Sequence, residues 1–205
     1  MNIMMTIVVS LLLAVSATLT CWAGEMDQET LESDRFLAPF AKLEPERLLL
    51  IGASWLTSED GRQDPEFGIK LIHMAAYKGH VPAQDQLGKM YDGGFWVSKD
   101  KTEAAKWFRK AGGAGSTNAQ FRLGQMFLKG EGAAKDPEES VKWFRMAAEH
   151  GHVDAQLALM AMYSGEMGGP KNEVEAMKLA RLAAEGGKSD AQALLGMNYA
   201  DGRGV

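Results

Sequence analysis

Cysteine is almost absent from this chain of 205 residues, which contains Cys21 and no other. A single cysteine allows no intramolecular disulfide, so packing alone must stabilise the fold. Positive charge is also sparse and dispersed, since 22 lysine and arginine residues face 27 aspartate and glutamate residues and the net charge is -5. Without a basic stripe, we do not expect a nucleic-acid partner. The hydrophobic fraction of 46% is that of a globular protein.

Charge is missing altogether from the first 24 residues. Within them, the apolar run from Ile7 to Thr20 is typical of the central region of a secretory signal peptide. Cys21 and Ala23 place small residues at positions -3 and -1, so we expect a signal peptide over residues 1–23 and export to the periplasm or the medium. The alternative is an uncleaved membrane anchor, because the run is near the shortest length that spans a bilayer.

Recognisable catalytic motifs are lacking too. The sequence contains no Gly-x-Ser-x-Gly, His-Glu-x-x-His or Asp-x-Asp-x-Asp-Gly pattern, and "GGAGST" at 112–117 lacks the Lys-Ser/Thr of a phosphate-binding loop. The histidines are His73, His80, His150 and His152. No carboxylate or thiolate cluster accompanies them, so we expect solvated loop histidines and no metal site. We therefore predict no enzymatic activity, no cofactor and no bound metal.

The chain does contain an internal repeat of constant period. Residues of one type recur every 36 positions in several columns. The columns are an Ala-Gln pair (Ala83, Ala119, Ala155, Ala191), a leucine (Leu87, Leu123, Leu159, Leu195), an aromatic (Trp55, Tyr91, Phe127, Tyr163, Tyr199) and a glycine (Gly79, Gly115, Gly151, Gly187). Such self-similarity is typical of stacked repeats, in which each unit buries its apolar face against its neighbours.

Each unit is predicted to form two helices. In the third unit, "AQFRLGQMFLKG" places Ala119, Leu123 and Phe127 on one apolar face. In the following "DPEESVKWFRMAAEHG", Asp136 can cap a second helix and Gly151 is placed to end it in a left-handed conformation. The sequence therefore predicts an all-α fold, a right-handed α-solenoid with a 36-residue period, in which the first helix of each pair lines a concave surface.

Two further columns concern the core. A glycine in a helix interior costs about 1 kcal/mol relative to alanine, yet one recurs within the first helices. These glycines are Gly52, Gly88, Gly124 and Gly196. We predict that they mark where paired helices approach too closely for a side chain. The recurring methionines Met90, Met126 and Met162 are interpreted as gap-filling core residues, not copper ligands.

The stretch "AQFRLGQMFLKGEGAAKDPEESVKWFRMAAEHGHVDA" resembles a Sel1-like repeat, a relative of the tetratricopeptide repeat. The resemblance rests on the Ala-Gln start, Leu-Gly, the aromatic, Gly-x-Gly, Asp, Trp-Phe, Ala-Ala and the closing Gly. We divide the chain into a signal peptide (1–23), an N-terminal cap segment (24–46) and a repeat domain (47–205). The units of that domain are 47–82 (degenerate), 83–118, 119–154, 155–190 and a partial unit, 191–205.

Two features lie outside the regular pattern. Met160 replaces the Leu-Gly glycine in the fourth unit, which predicts wider helix spacing there. The cap segment contains apolar residues that we expect to pack over the first unit, namely Leu31, Phe36, Leu37 and Phe40.

Variable positions on the first helices of related repeats usually face the concave groove. The candidate partner-binding residues at these positions are Lys89, Phe121, Arg122, Gln125, Leu128, Leu157 and Met197. The groove becomes more apolar from Asp85 toward the C-terminus, which favours a protein or peptide ligand. The alternative is that Leu157, Leu194 and Met197 only pack against a neighbouring helix.

One loop is unusual. Where the third unit has "KGEGAAK", the second has "GGFWVSK", so that Phe95 and Trp96 stand in a turn. Aromatic residues are enriched at interface hot spots, which makes both residues candidates for partner binding. The alternative is that both rings fold down on a neighbouring unit.

The resemblance implies a protein-interaction module with an adaptor, regulatory or host-interaction role. Some relatives are immunity proteins, so a sharper hypothesis is that the protein binds and neutralises a secreted antibacterial effector. The alternatives are a structural envelope scaffold and an enzyme, because some cysteine-rich relatives are linked to β-lactam binding or hydrolysis. A final first helix without a partner helix would leave an apolar face open at 191–205, which predicts truncation, docking or a homodimer.

Overall fold

The computed structural model describes residues 31, 34–57, 64–165 and 167–185. Over these residues the chain forms eight α-helices and no strand. The helices are α1 (Pro45–Thr57), α2 (Pro65–Tyr77), α3 (Val81–Gly93), α4 (Lys101–Gly113), α5 (Thr117–Lys129), α6 (Pro137–Glu149), α7 (Val153–Ser164) and α8 (Glu173–Glu185). Both the odd-numbered and the even-numbered helices begin at intervals of 36 residues. The prediction of an all-α solenoid is confirmed.

Repeated polar residues and glycines set the helix ends. Asp64, Asp100 and Asp136 accept backbone N–H bonds at the start of α2, α4 and α6, and Asn172 accepts one from Glu175 at 3.2 Å. Such caps satisfy donors that the first turn of a helix leaves unpaired. Gly79, Gly115 and Gly151 follow the even-numbered helices with φ angles of 83°, 97° and 80°. A residue with a side chain rarely adopts that conformation, so glycine is required at each of these ends.

The glycines inside the first helices lie where the paired helices are closest. A Cβ added to Gly88 or Gly124 would meet the ring of Phe108 or Phe144 at 2.5 Å, and one on Gly52 would meet the carbonyl oxygen of Gly68 at 2.7 Å. These contacts confirm the prediction for the three glycines, while Gly196 lies outside the described residues. The local cost of glycine in a helix is therefore offset by the packing of a large ring against the backbone.

The fourth unit achieves the same packing with the sizes exchanged. Met160 stands where α3 and α5 have glycine, and Ala180 of α8 stands where α4 and α6 have phenylalanine. Both residues are buried in one core cluster. Because the large side chain has moved from the second helix to the first, this departure from the repeat does not require the wider spacing that the sequence suggested.

The N-terminal segment covers the first unit. Leu31 and Leu37 are buried in the core cluster of α1 to α3, and the ring of Phe40 lies edge-on against that of Phe67, 5.4 Å between centroids. An ion pair of 3.1 Å between Asp34 and Lys70 also joins the segment to α2. Phe36 departs from expectation, because 47% of its surface is exposed.

Two sequence expectations fall on residues that the structure does not describe. They are the signal peptide over 1–23 and the partial unit 191–205, including Met197. Among the helices that are described, none combines the length and the apolar character needed to cross a membrane.

Candidate protein-binding surface

The loop between α3 and α4 presents two aromatic rings to solvent. Phe95 is 61% exposed and Trp96 is 50% exposed, with 6.4 Å between their ring centroids. Val97, the next residue, packs against the core instead. The alternative that both rings fold down on a neighbouring unit is therefore wrong, and the pair forms an exposed aromatic patch.

The backbone under this patch is unusual as well. Trp96 has a φ of 58°, and among the described residues no other residue with a side chain has a positive φ. The corresponding positions in the next two units are Gly132 and Gly168, with φ angles of 70° and 76°. A left-handed conformation costs a residue with a side chain on the order of 1–3 kcal/mol. The ring is half exposed and belongs to none of the core clusters of the described residues, so packing of the core does not require this conformation.

The equivalent loop of the third unit is a packed connection. A Cβ at Gly132 would collide with the carbonyl oxygen of Lys101, at the start of α4. The side chain of Lys101 forms an ion pair with Glu131, the counterpart of Phe95. This hydrogen bond raises the pKa of Lys101 and lowers that of Glu131. One loop position therefore binds the neighbouring unit in one repeat and faces solvent in another.

The polar candidates lie on the first helices of the second and third units. The helices α3 and α5 contact each other directly, which places these residues on adjoining surfaces. Lys89 is half exposed, and its ammonium lies 2.5 Å from the carboxylate of Asp85. Arg122 is exposed and donates to the side-chain oxygen of Gln125 over 3.3 Å. Lys89, Arg122 and Gln125 are accessible to a partner.

The apolar candidates are partly buried instead. Phe121, Leu128 and Leu157 pack against the core cluster of α6 to α8. The ring of Phe121 also stacks on His152, with 4.6 Å between centroids and 23° between planes. All three residues therefore pack against neighbouring helices, which is the alternative that the sequence left open for Leu157. These side chains lie mostly beneath the surface that a partner would contact.

The repeated glutamine has a role that the sequence did not reveal. The side-chain amides of Gln84, Gln120 and Gln156 donate to the last turn of the preceding helix. The acceptors are the carbonyl oxygens of Ala76 at 3.0 Å, Gly112 at 2.9 Å and Ala148 at 3.3 Å. Each of these carbonyls also accepts the backbone N–H of the glycine that closes its helix, so the glutamine adds a second bond that joins one unit to the next. In the sequence, the sign of this role is the constant spacing of the Ala-Gln pair.

His73 is a correction to the sequence analysis, because it lies inside α2 and is 1% exposed. Its Nε2 atom is 3.2 Å from the hydroxyl of Tyr91, and its ring lies 5.4 Å from that of Trp107. Burial, followed by the charge of Lys110, lowers the pKa of His73 to about 3. Desolvation likewise raises the pKa of Tyr91 to about 12.

The position of His73 is a recurring contact between units. Its counterparts Arg109 and Arg145 reach the aromatic residue of the next unit in the same way. Arg109 lies over the ring of Phe127 at 5.7 Å, and Arg145 donates to the hydroxyl of Tyr163 at 2.6 Å. The spacing of 18 residues to an aromatic could have identified His73 as a junction residue.

Two of the other histidines contact helix ends. His152 accepts a hydrogen bond from the backbone of Ala155 at 3.3 Å, while His150 is exposed beside the carbonyl of Met146. Within the part of the chain that the structure describes, no three His, Cys, Asp or Glu side chains come together in a way that could hold a metal ion.

Comparisons with known proteins agree with this architecture. A family model described as the Sel1 repeat matches residues 51–80, 81–116, 117–152, 155–188 and 189–205. A solved structure of a Sel1 repeat protein from Oxalobacter formigenes matches with a TM-score of 0.72 at 28% identity, over 88% of this chain and 70% of that one. No match was found among the curated proteins.

A second solved structure is that of a protective antigen present in uropathogenic Escherichia coli strains, which displays an SLR fold. It matches with a TM-score of 0.73 at 32% identity. The match covers 87% of this chain and 37% of the antigen. The family segments 81–116 and 117–152 begin where α3 and α5 begin, two residues before the Ala-Gln pair that opened each unit in the sequence analysis.

Proposed function

Because the chain belongs to the Sel1 repeat family, whose members are protein-interaction modules, we propose that it is an exported binding protein whose partner docks on the Phe95–Trp96 loop. The observation that carries this proposal is Trp96, an exposed aromatic in a left-handed conformation where the neighbouring units have glycine. A strained residue whose ring contributes little to the core is expected where a binding partner uses that ring.

The surface around the loop is suited to a protein. Phe95 and Trp96 supply an apolar centre, and a polar edge of this kind is common around interface hot spots. Lys89 is accessible on α3, the helix that precedes the loop, and Arg122 is accessible on α5, which contacts α3. A protein partner with an apolar anchor fits such a surface better than a small metabolite, which needs an enclosed pocket.

The finer role is that of an exported regulator which binds one partner tightly, such as an immunity protein against a secreted antibacterial effector. The uncharged, apolar N-terminus supports export. The related protein from uropathogenic Escherichia coli is a protective antigen, which is compatible with a location outside the cytoplasm.

The test is crosslinking and mass spectrometry in the native cell with three forms of the protein. The parent should capture one dominant partner, and Trp96→Gly should reduce that capture at least tenfold, because glycine keeps the loop conformation while the ring is lost. Met167→Ala is the matched control, since Met167 is the exposed counterpart of Phe95 in the fourth unit. Equal capture by the parent and Trp96→Gly would contradict the proposed surface.

The immunity role has its own test. Co-expression with the product of the neighbouring gene should relieve toxicity and lead to co-purification. Capture of several partners without a dominant one would favour the envelope scaffold. Turnover of a chromogenic β-lactam by the purified protein would favour the enzyme.

A further inference from the structure

A second candidate site lies between the second and third units. An open cleft of about 410 Å³ separates the start of α3 from the turn that joins α4 to α5. Its walls include Val81, Pro82, Asp85, Ser116, Thr117 and Asn118. The cleft therefore combines one acidic side chain with hydroxyl and amide groups.

Asp85 is incompletely paired in this cleft. The residue is 9% exposed, and one of its carboxylate oxygens lies 2.5 Å from the ammonium of Lys89, one turn along the same helix. The other oxygen is buried and has no hydrogen-bond partner among the described residues. A carboxylate can accept about four hydrogen bonds, so this one is undersatisfied for its degree of burial.

The next junction shows what closes the same place. Phe121 and His152 occupy the positions that correspond to Asp85 and Ser116, 36 residues later. Their rings stack with 4.6 Å between centroids, at the place that corresponds to the cleft one unit earlier. A stacked pair of rings is thus compatible with this framework, and a buried carboxylate is not needed for packing.

We propose that the cleft receives an arginine side chain of the protein partner and that Asp85 binds its guanidinium group. A guanidinium presents several donors in one plane and forms charge-assisted hydrogen bonds with a carboxylate. Lys89 is half exposed and its ammonium is held at Asp85, so this side chain can withdraw into solvent as the arginine enters. The hydroxyls of Ser116 and Thr117 can accept the remaining donors. That the arginine belongs to a protein partner rests on the proposed function. That the cleft binds a guanidinium group does not.

The cleft is tested without the partner. Purified, ¹⁵N-labelled protein is titrated with N-acetyl-arginine amide and, separately, with the uncharged isostere N-acetyl-citrulline amide. We expect saturable shifts of the backbone amides at 83–85 and 114–118 with arginine, and at least fivefold weaker binding with citrulline. Asp85→Asn should weaken arginine binding to the level of citrulline. Equal responses to both compounds, or an unchanged response in Asp85→Asn, would overturn the assignment.

A second variant keeps the test decisive if Asp85→Asn disturbs the fold. The double variant Asp85→Phe, Ser116→His copies the stacked pair of the next junction, so it should fold and lose the arginine response. A retained response in this variant would also overturn the assignment. Loss of partner capture in Trp96→Gly with an intact arginine response would leave the cleft in place. Partner capture without any arginine response would overturn the assignment of the cleft and leave the proposed Phe95–Trp96 surface intact.

Discussion

The second and third units share one framework and present different surfaces. In both, a glycine of the first helix faces a phenylalanine of the second, and a glutamine bonds to the preceding helix. They differ in the loop, where Phe95 and Trp96 replace Glu131 and Gly132. They differ again at Asp85, whose counterpart is a stacked phenylalanine. The periodic residues therefore maintain the stack, and binding is expected where the period is broken.

The largest expected difference between junctions is in their pH dependence. His73 has a folded pKa of about 3, below the usual 6.5, so between these values the unfolded chain binds the proton and the folded chain does not. The free energy of unfolding should therefore fall by about 1.4 kcal/mol per pH unit as the pH drops from 6.5 toward 3. The later junctions have arginine at this position and should contribute no such dependence.

Urea unfolding at pH 7 and pH 5 tests this expectation. His73→Gln keeps a polar contact near Tyr91 and removes the titration, so its stability should depend less on pH. His150→Gln is the matched control, because His150 is exposed and should leave the dependence unchanged. A parent protein whose stability is the same at both pH values would show that His73 is protonated in the folded state.

The next effect concerns the contact that the two units share. Gly124→Met should destabilise the protein by about 3 kcal/mol, because the new side chain meets the ring of Phe144. Phe144→Ala should cost about 4 kcal/mol through the cavity it leaves. The double variant reproduces the Met160 and Ala180 pair of the fourth unit and should cost about 2 kcal/mol less than the sum of the two single changes. A double-mutant cycle by urea unfolding measures this coupling. If the losses in free energy of unfolding simply add, the two positions do not compensate each other in size.

The smallest effect tests the loops. Trp96→Gly should stabilise the protein by about 1 kcal/mol, because glycine adopts a positive φ without strain. The reverse change, Gly132→Trp, should destabilise it by more, since a side chain there meets the carbonyl of Lys101. Thermal unfolding of both variants compares the loops directly. A loss of stability in Trp96→Gly would mean that the ring supports the fold and would weaken its role as a binding residue.

Much of the fold was predictable because the information is local and repeated. Asp136 and Gly151 act within one helix turn, so their types indicate where α6 begins and ends. The role of Gly124 could be predicted because glycine, which destabilises a helix interior, recurs at the same position of successive repeats. The candidate site was less predictable. Phe121 and Leu157 have the right periodic positions, but whether they face solvent depends on neighbours in other helices and turns, such as the His152 ring that stacks on Phe121.

The sequence by itself determined the period, the starts and ends of the second helices and the places of close approach, since these follow from patterns within one unit. Only the tertiary structure decided that Trp96 is exposed and left-handed, that His73 is buried and that Asp85 borders an open cleft. The physical reason is that exposure and strain at these residues arise from contacts between successive units. The repeat determines where successive units meet, and the side chains of both units determine whether a residue there is buried, exposed or strained.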